Sequence, residues 1–205
     1  MEIELKFNIH SDQVADAIWQ NELFASIEEA DSRDEMCLDA RYYDTADYSL
    51  SKAQIAYRVR KEGERWVAAL KWSGTNEGAL HSREELCVPV FDNKPDVSIF
   101  AQSDMGDELM RITGGRELEC IFKTQVHRKM FRIDTGTSIF EISIDSGRVI
   151  TPYGQEPINE VEIELYSGET EELIEIGKKL TDKYELTIAE DSKYARGINL
   201  IKNGR

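Results

Sequence analysis

The chain is poor in several features that would place it in familiar classes. Three cysteines, Cys37, Cys87 and Cys120, lie far apart in 205 residues. So scattered and odd-numbered a set neither frames a disulfide scaffold nor spaces a cysteine zinc site, and it suits a reducing cytoplasm. No run of about 18 apolar residues occurs, so no membrane-spanning helix is expected. The start, Met1-Glu2-Ile3-Glu4-Leu5-Lys6, has no basic region followed by an apolar one, so no secretory signal is expected either. Repeats, low-complexity tracts and linkers are missing, and the expectation is one domain over residues 1–205. Positive charge is scarce: 25 Lys and Arg stand against 40 Asp and Glu, a net charge of −15. Such a field repels nucleic acid and anionic lipid at long range. A phosphate compound can bind only where Lys and Arg are locally in excess, or through a divalent cation. The three histidines, His10, His81 and His127, are isolated and read as solvated residues.

What the chain has in abundance is alternation with period two, the mark of strands with two unlike faces. Ile3, Leu5, Phe7 and Ile9 oppose Glu2, Glu4 and Lys6 over residues 2–9. Residues 35–44, 55–60, 66–72, 80–90, 117–134, 138–145 and 158–166 read as further strands. Turns are expected at Glu62-Gly63-Glu64, at Asp134-Thr135-Gly136-Thr137 and at Ser146-Gly147, with loops at 74–78 and 92–104. Helices are expected over 12–24, behind Ser11-Asp12, over 104–113, from Thr170 to about Lys183, and from Ser192 onward. In the Thr170 helix, Glu171 and Glu172 open the first turn and lysines gather toward the other end, as the helix dipole favours. The fold class is α+β: an antiparallel meander of about eight strands with helices near both chain ends.

Charged residues repeat at i, i+2 on at least six of these segments. For one strand alone, this describes a solvated outer face over a packed inner one. Two details point elsewhere. The signs are segregated by strand: Arg58, Arg60, Lys71 and Arg128 are cationic, whereas Glu141 with Asp145 and Glu160 with Glu162 and Glu164 are anionic. Like charges at such spacing repel, and an outer face usually interleaves signs. Amphipathic helices are also available to cover the apolar face, which turns the charged face toward a barrel interior. A dry interior of that kind is prohibitively costly. A hydrated one suits a polyanion on its cations and a hard divalent metal on its carboxylates.

The residues then form a recognisable order. Glu2-x-Glu4-x-Lys6 is followed by Arg58-x-Arg60, Lys71, Arg83-x-Glu85, Arg128, Glu141-x-x-x-Asp145, Glu160-x-Glu162-x-Glu164 and Ser192-Lys193 with Arg196-Gly197. This series resembles the CYTH superfamily, the triphosphate tunnel metalloenzymes, over roughly residues 1 to 200, and is most similar to its bacterial inorganic triphosphatases. The resemblance implies an eight-stranded antiparallel β-barrel with a polar, charged tunnel and flanking helices. It implies hydrolysis of inorganic triphosphate with Mg²⁺ or Mn²⁺; a class IV-type adenylyl cyclase, a thiamine triphosphatase and a non-catalytic polyphosphate- or nucleotide-binding module remain the alternatives.

Matched position by position, the resemblance implies that Lys6, Arg58, Arg60, Lys71, Arg83, Arg128 and Lys193 grip phosphate oxygens, arginine as a fork and lysine as a point charge. Lys6, Arg58, Glu85 and Lys193 are the candidates closest to the chemistry. Glu2, Glu4, Asp145, Glu160 and Glu162 are the candidate metal ligands, with Asp145, Glu85 and Glu141 the candidates for a second ion or for positioning its water. Tyr42-Tyr43-Asp44-Thr45 resembles a family strand end with a structural part. The implied partner is a small-molecule triphosphate, with no nucleic acid and no membrane; the oligomeric state stays open, a homodimer among the options. Family members often add a helical CHAD domain, whose presence alongside residues 1–205 the sequence leaves open.

Overall fold

The computed structural model describes residues 1–204. Nine strands and five α-helices follow in chain order: β1 Glu2–Asn8, α1 Asp12–Gln20, β2 Asp34–Thr45, α2 Ser49–Lys52, β3 Ala56–Glu62, β4 Arg65–Glu77, β5 Leu80–Val90, α3 Gly106–Thr113, β6 Leu118–Asp134, β7 Ile139–Thr151, β8 Gly154–Ser167, α4 Thr170–Tyr184, β9 Thr187–Ile188 and α5 Lys193–Gly204. A short 3₁₀ turn, Val97–Phe100, precedes α3. The strands pair in the order β5-β4-β3-β2-β6-β7-β8-β1, and β1 also pairs with β5, which closes an eight-stranded antiparallel barrel. Strand β9 lies beyond the barrel, against the last residues of β1. Closure leaves the eight strands without a free sheet edge along their paired lengths.

Register fixes which residues share a face. Lys6 stands opposite Glu162 and Glu4 opposite Glu164; Glu162 stands opposite Ser143 and Glu160 opposite Asp145; Asp145 stands opposite Arg128. The charged face is therefore one continuous inner wall. The outer face is apolar, and the helices cover it. Leu5, Phe7, Phe131, Ile142, Val161 and Ile163 pack with Ile18 of α1 and with Leu173, Ile176 and Leu180 of α4. Tyr57, Val59, Ala68 and Leu70 pack under Phe100 and Leu109. Each such fully buried large aliphatic or aromatic side chain contributes about 1.5–3 kcal/mol. The Ser11 hydroxyl accepts from the Val14 amide and starts α1.

The inner wall is not polar throughout. Leu38, Ala40 and Tyr42 share the face of Arg58 and Arg60 by register, yet with Phe122, Val126, Val149 and Ile158 they pack against Ile198 and Ile201 of α5. Helix α5 thus seals one stretch of the lumen with an apolar plug. It approaches closely: a Cβ at Gly197 would fall 2.4 Å from the Phe122 ring.

Four local expectations are corrected. The chain does not turn at Ser146-Gly147; β7 runs on to Thr151. Gly147 is there because a Cβ would lie 2.0 Å from the Gln125 carbonyl oxygen, so only glycine lets the two strands pass. Residues 74–77 are strand rather than loop, since a bulge after Trp72, with Ser73 at φ 51°, carries β4 onward to Glu77. Helix α1 ends at Gln20 rather than residue 24, because Asn21 takes the left-handed conformation. His81 is not solvated but 2% exposed on the lumen wall, its Nε2 3.1 Å from the Ala189 carbonyl oxygen.

Candidate active site

Anionic and cationic strands meet in the lumen. At its densest point, Asp145 of β7 and Glu160 and Glu162 of β8 each offer a carboxylate oxygen within 4.8 Å of the others, and all three are buried. Into this group reaches Lys193 from the first residue of α5. Its Nζ lies 2.7 Å from Asp145 and 2.9 Å from Glu162, and it also contacts Glu160. Arg128 donates through both Nε and Nη2 to the two oxygens of Asp145, each at 2.7 Å, and through Nη2 to Glu162 at 2.6 Å. Lys6 bridges Glu162 and Glu4, the latter at 3.1 Å.

A second set sits on β1, β3, β4 and β5. Lys71 lies 2.8 Å from Glu2 and 3.1 Å from Glu85. Arg83 donates to Glu2 at 2.7 Å and to Glu4 at 2.6 Å. Arg58 stands 3.7 Å from Glu85, and its buried Nε donates to no protein acceptor among the described residues. Arg60 pairs with Glu62 on its own strand. Among the candidates named from sequence, Glu141 lies apart from the three-carboxylate group, accepting from the Tyr166 hydroxyl at 2.7 Å. Arg196, which received no role from sequence, binds Glu156 at 2.6 Å and lies 3.6 Å from Glu160. Its spacing of three from Lys193 on one helix was the available signal.

The ionisation states follow from these contacts. Burial opposes charge on Glu162, yet Lys193, Lys6 and Arg128 outweigh it and hold its carboxyl well below the usual range. Burial likewise opposes charge on Asp145, and Arg128 and Lys193 pull it down. Against the same burial, Lys71 and Arg83 take Glu2 down to about 2. The ammonium of Lys193 is held charged, burial being outweighed by Asp145, Glu160 and Glu162. Glu164 goes the other way: burial and the neighbouring carboxylates of Glu2, Glu4 and Glu141 push it up to about 7. For Lys71 and Arg60, burial and the adjacent arginines lower the pKa. The lumen is thus an ion-paired lattice in which long cationic side chains face a surplus of carboxylates.

The donor set fits a hard divalent ion. Three buried carboxylates converge, as such an ion requires, and the ammonium among them shows that the group accepts a cation. A cavity of about 970 Å³ opens beside them, bounded by Lys6, Arg58, Lys71 and Arg83 on one side and by α5, from Lys193 to Lys202, on the other. It has room for an extended polyanion among the four cations.

A closed antiparallel barrel with a charged, ion-paired lumen under an apolar outer face defines the class. The sequence matches the CYTH domain family over residues 1–198, and the chain belongs to that family. It is 28% identical over 159 residues to an inorganic triphosphatase of Haemophilus influenzae; the match takes 78% of this chain but 44% of the relative. The chain therefore spans less than half the length of that relative. In fold it is similar to a Hippeastrum protein described as an adenylyl cyclase candidate with a dominant triphosphatase activity, at TM-score 0.66 and 17% identity over 97% of this chain and 96% of the other. A protein of Pyrococcus horikoshii shares the fold at TM-score 0.56 and 18% identity, over 97% and 99% of the two chains.

Proposed function

We propose that this chain hydrolyses inorganic triphosphate to pyrophosphate and phosphate inside the barrel. The observation that carries the reading is the convergence of Lys6, Arg58, Lys71 and Arg83 on one cavity next to three buried carboxylates. A triphosphate brings about four or five negative charges, and hydrolysis spreads charge over the transferred phosphoryl oxygens and the leaving pyrophosphate, so catalysis is mainly positioning and electrostatic stabilisation. The Haemophilus influenzae relative, named an inorganic triphosphatase, supports the same reaction class.

In this reading Arg58, with its unused Nε, takes phosphate oxygens as a fork, and Lys6, Lys71 and Lys193 exchange a carboxylate partner for a phosphate one. Arg60, Arg83 and Arg128 complete the cationic wall. Water attacks the terminal phosphorus, the bridging P–O bond breaks, and pyrophosphate leaves with the electron pair while the water's proton passes to a lumen carboxylate. Glu85, 3.1 Å from Lys71 and 3.7 Å from Arg58, is the residue assigned to orient that water. Asp145, Glu160 and Glu162 would hold the Mg²⁺ or Mn²⁺, with Glu2 and Glu4 as further donors. That ion would neutralise phosphate charge and make water a better nucleophile near neutral pH, so no histidine base is needed.

A second reading, an organic triphosphate such as ATP or thiamine triphosphate, draws on the size of the cavity and on Trp72 and Tyr48 at its lining, aromatic surfaces against which an organic group could rest. One assay separates the two: release of phosphate from inorganic triphosphate, ATP and thiamine triphosphate, each with Mg²⁺, Mn²⁺ or EDTA. The proposal expects the fastest release from inorganic triphosphate and none in EDTA. Faster turnover of an organic triphosphate overturns the substrate assignment, and ligand left intact after prolonged incubation overturns the enzyme.

A further inference from the structure

Lys193 reaches the carboxylates from the first residue of α5, so its usefulness depends on how that turn is held. The Ser192 hydroxyl accepts from the Ala195 amide and caps the turn. The next side chain, Tyr194, lines the same cavity but takes its partners at a corner away from the three carboxylates. Its hydroxyl lies 2.7 Å from that of Ser51 in α2. Ser51 in turn donates to Asp44 at 2.6 Å. With the Ser51 proton committed to a carboxylate, the Tyr194 hydroxyl donates to Ser51, the nearer of its two acceptors, the Ile55 carbonyl oxygen lying at 3.4 Å. Asp44 is completely buried and its carboxylate is given over to this corner, accepting also from the amides of Thr45, Leu50 and Ser51 at 2.8–2.9 Å. A four-residue helix such as α2 has no stability of its own; the buried carboxylate fixes it and thereby fixes the acceptor for Tyr194.

We propose that Asp44, Ser51 and Tyr194 form a positioning relay that fixes the first turn of α5 and so holds the Lys193 ammonium among Asp145, Glu160 and Glu162. These are positioning residues, acting through Lys193. The relay gives a functional part to Asp44 of the Tyr42-Tyr43-Asp44-Thr45 segment, which reaches the site only through hydroxyls. The Tyr194 ring is anchored separately, with its centroid 5.8 Å from that of Tyr42 and 6.0 Å from that of Phe122. Removing the hydroxyl therefore loosens the turn without emptying the aromatic cluster.

The inference rests on the proposed reading of the lumen for its consequence in turnover, but not for its test. Lys193 is labelled with an amine reagent in the metal-free protein and followed by mass spectrometry in the unsubstituted chain, Tyr194→Phe and Ser51→Ala. The relay predicts faster labelling of Lys193 in both variants, with the rates of Lys178 and Lys179 unchanged. In hydrolysis of inorganic triphosphate, both variants lower kcat/KM by roughly threefold to tenfold, the scale of one hydrogen bond, and neither adds to the loss in Lys193→Ala. Unchanged Lys193 labelling in Tyr194→Phe overturns the relay, as does a full additional loss in the Lys193→Ala background. Failure of the unsubstituted protein to hydrolyse triphosphate counts against the proposed function alone, because the labelling comparison needs no substrate.

Discussion

Ile158 and Glu160 are two residues apart on the same face of β8, and both are almost completely buried, at 0% and 1% exposure. Ile158 packs into the apolar plug with Val149 and Ile198. Glu160 faces Asp145, Glu162 and the Lys193 ammonium. One inner wall therefore carries two kinds of interior, and α5 serves both, offering Lys193 to the charged zone and Ile198 and Ile201 to the plug. The apolar zone is stabilised by burial. The charged zone is close to neutral in net stability, because desolvation of each ion offsets most of what pairing returns. In the proposed reading its ion pairs exchange for a substrate anion and a metal cation, which a close-packed core could not do.

The largest effect expected from breaking this contrast lies in the charged zone and in turnover. Arg58→Ala or Lys6→Ala should lower kcat/KM for triphosphate about 10²–10³-fold, the cost of removing one preorganised contact to developing charge, with unfolding midpoints shifted far less than activity. Retention of unsubstituted kcat/KM by either variant removes that residue from the catalytic site. In the plug the order reverses. Ile158→Ala should cost about 2–5 kcal/mol of stability through the cavity it leaves, read by denaturant unfolding. Glu160→Gln, two residues along, should cost less than the roughly 3–5 kcal/mol of stripping a buried charge of its partner, since Lys193 keeps Asp145 and Glu162. Its mark should be a higher metal concentration for half-maximal activity.

Proton linkage sharpens the comparison within the charged zone itself. Glu164, pushed up to about 7, has a folded pKa above its unfolded one. Between about pH 4.5 and 7 the unfolded chain ionises this group and the folded one does not, so stability falls across that window and then levels. Glu2, held down to about 2, has the opposite sign: its contribution is complete above the unfolded carboxylate pKa and is lost as pH falls through about 2. In EDTA, Glu164→Gln should flatten the decline in melting temperature between pH 5 and pH 7.5. A variant that declines as steeply as the unsubstituted chain would show that Glu164 is not the proton-binding group.

Much of the barrel was legible because period-two alternation with sign segregation is hard to satisfy except by a charged lumen beneath an apolar exterior. Glu2, Glu4 and Lys6 opposite Ile3, Leu5 and Phe7 define two faces wherever β1 sits, and the supply of amphipathic helices told which face is covered. The plug was not legible. Leu38, Ala40 and Tyr42 on β2 look the same whether they face outer helices or a helix inside the lumen, and the stripe of α5 has no label for the side of the sheet it meets. Gly147 misled for a related reason: glycine marks turns more often than a close crossing of two strands, and only three-dimensional contact with Gln125 separates the cases. Helix α2 is too short for any period to show. Within the site, residue types and strand parity named the charges, but partners came only with three dimensions: that Arg83 belongs with Glu2 and Glu4 depends on barrel closure between β1 and β5, and that Lys193 belongs with Asp145, Glu160 and Glu162 depends on β7–β8 register and on where α5 docks.

The chemistry proposed for the lumen is tested most directly by a crystal structure with Mn²⁺ and a non-hydrolysed triphosphate analogue, the metal located by its anomalous signal. Manganese is expected on carboxylates among Asp145, Glu160, Glu162, Glu2 and Glu4, with phosphate oxygens on Lys6, Arg58 and Lys193. Manganese and analogue found only on the outer surface, with the lumen ion pairs intact, would contradict it.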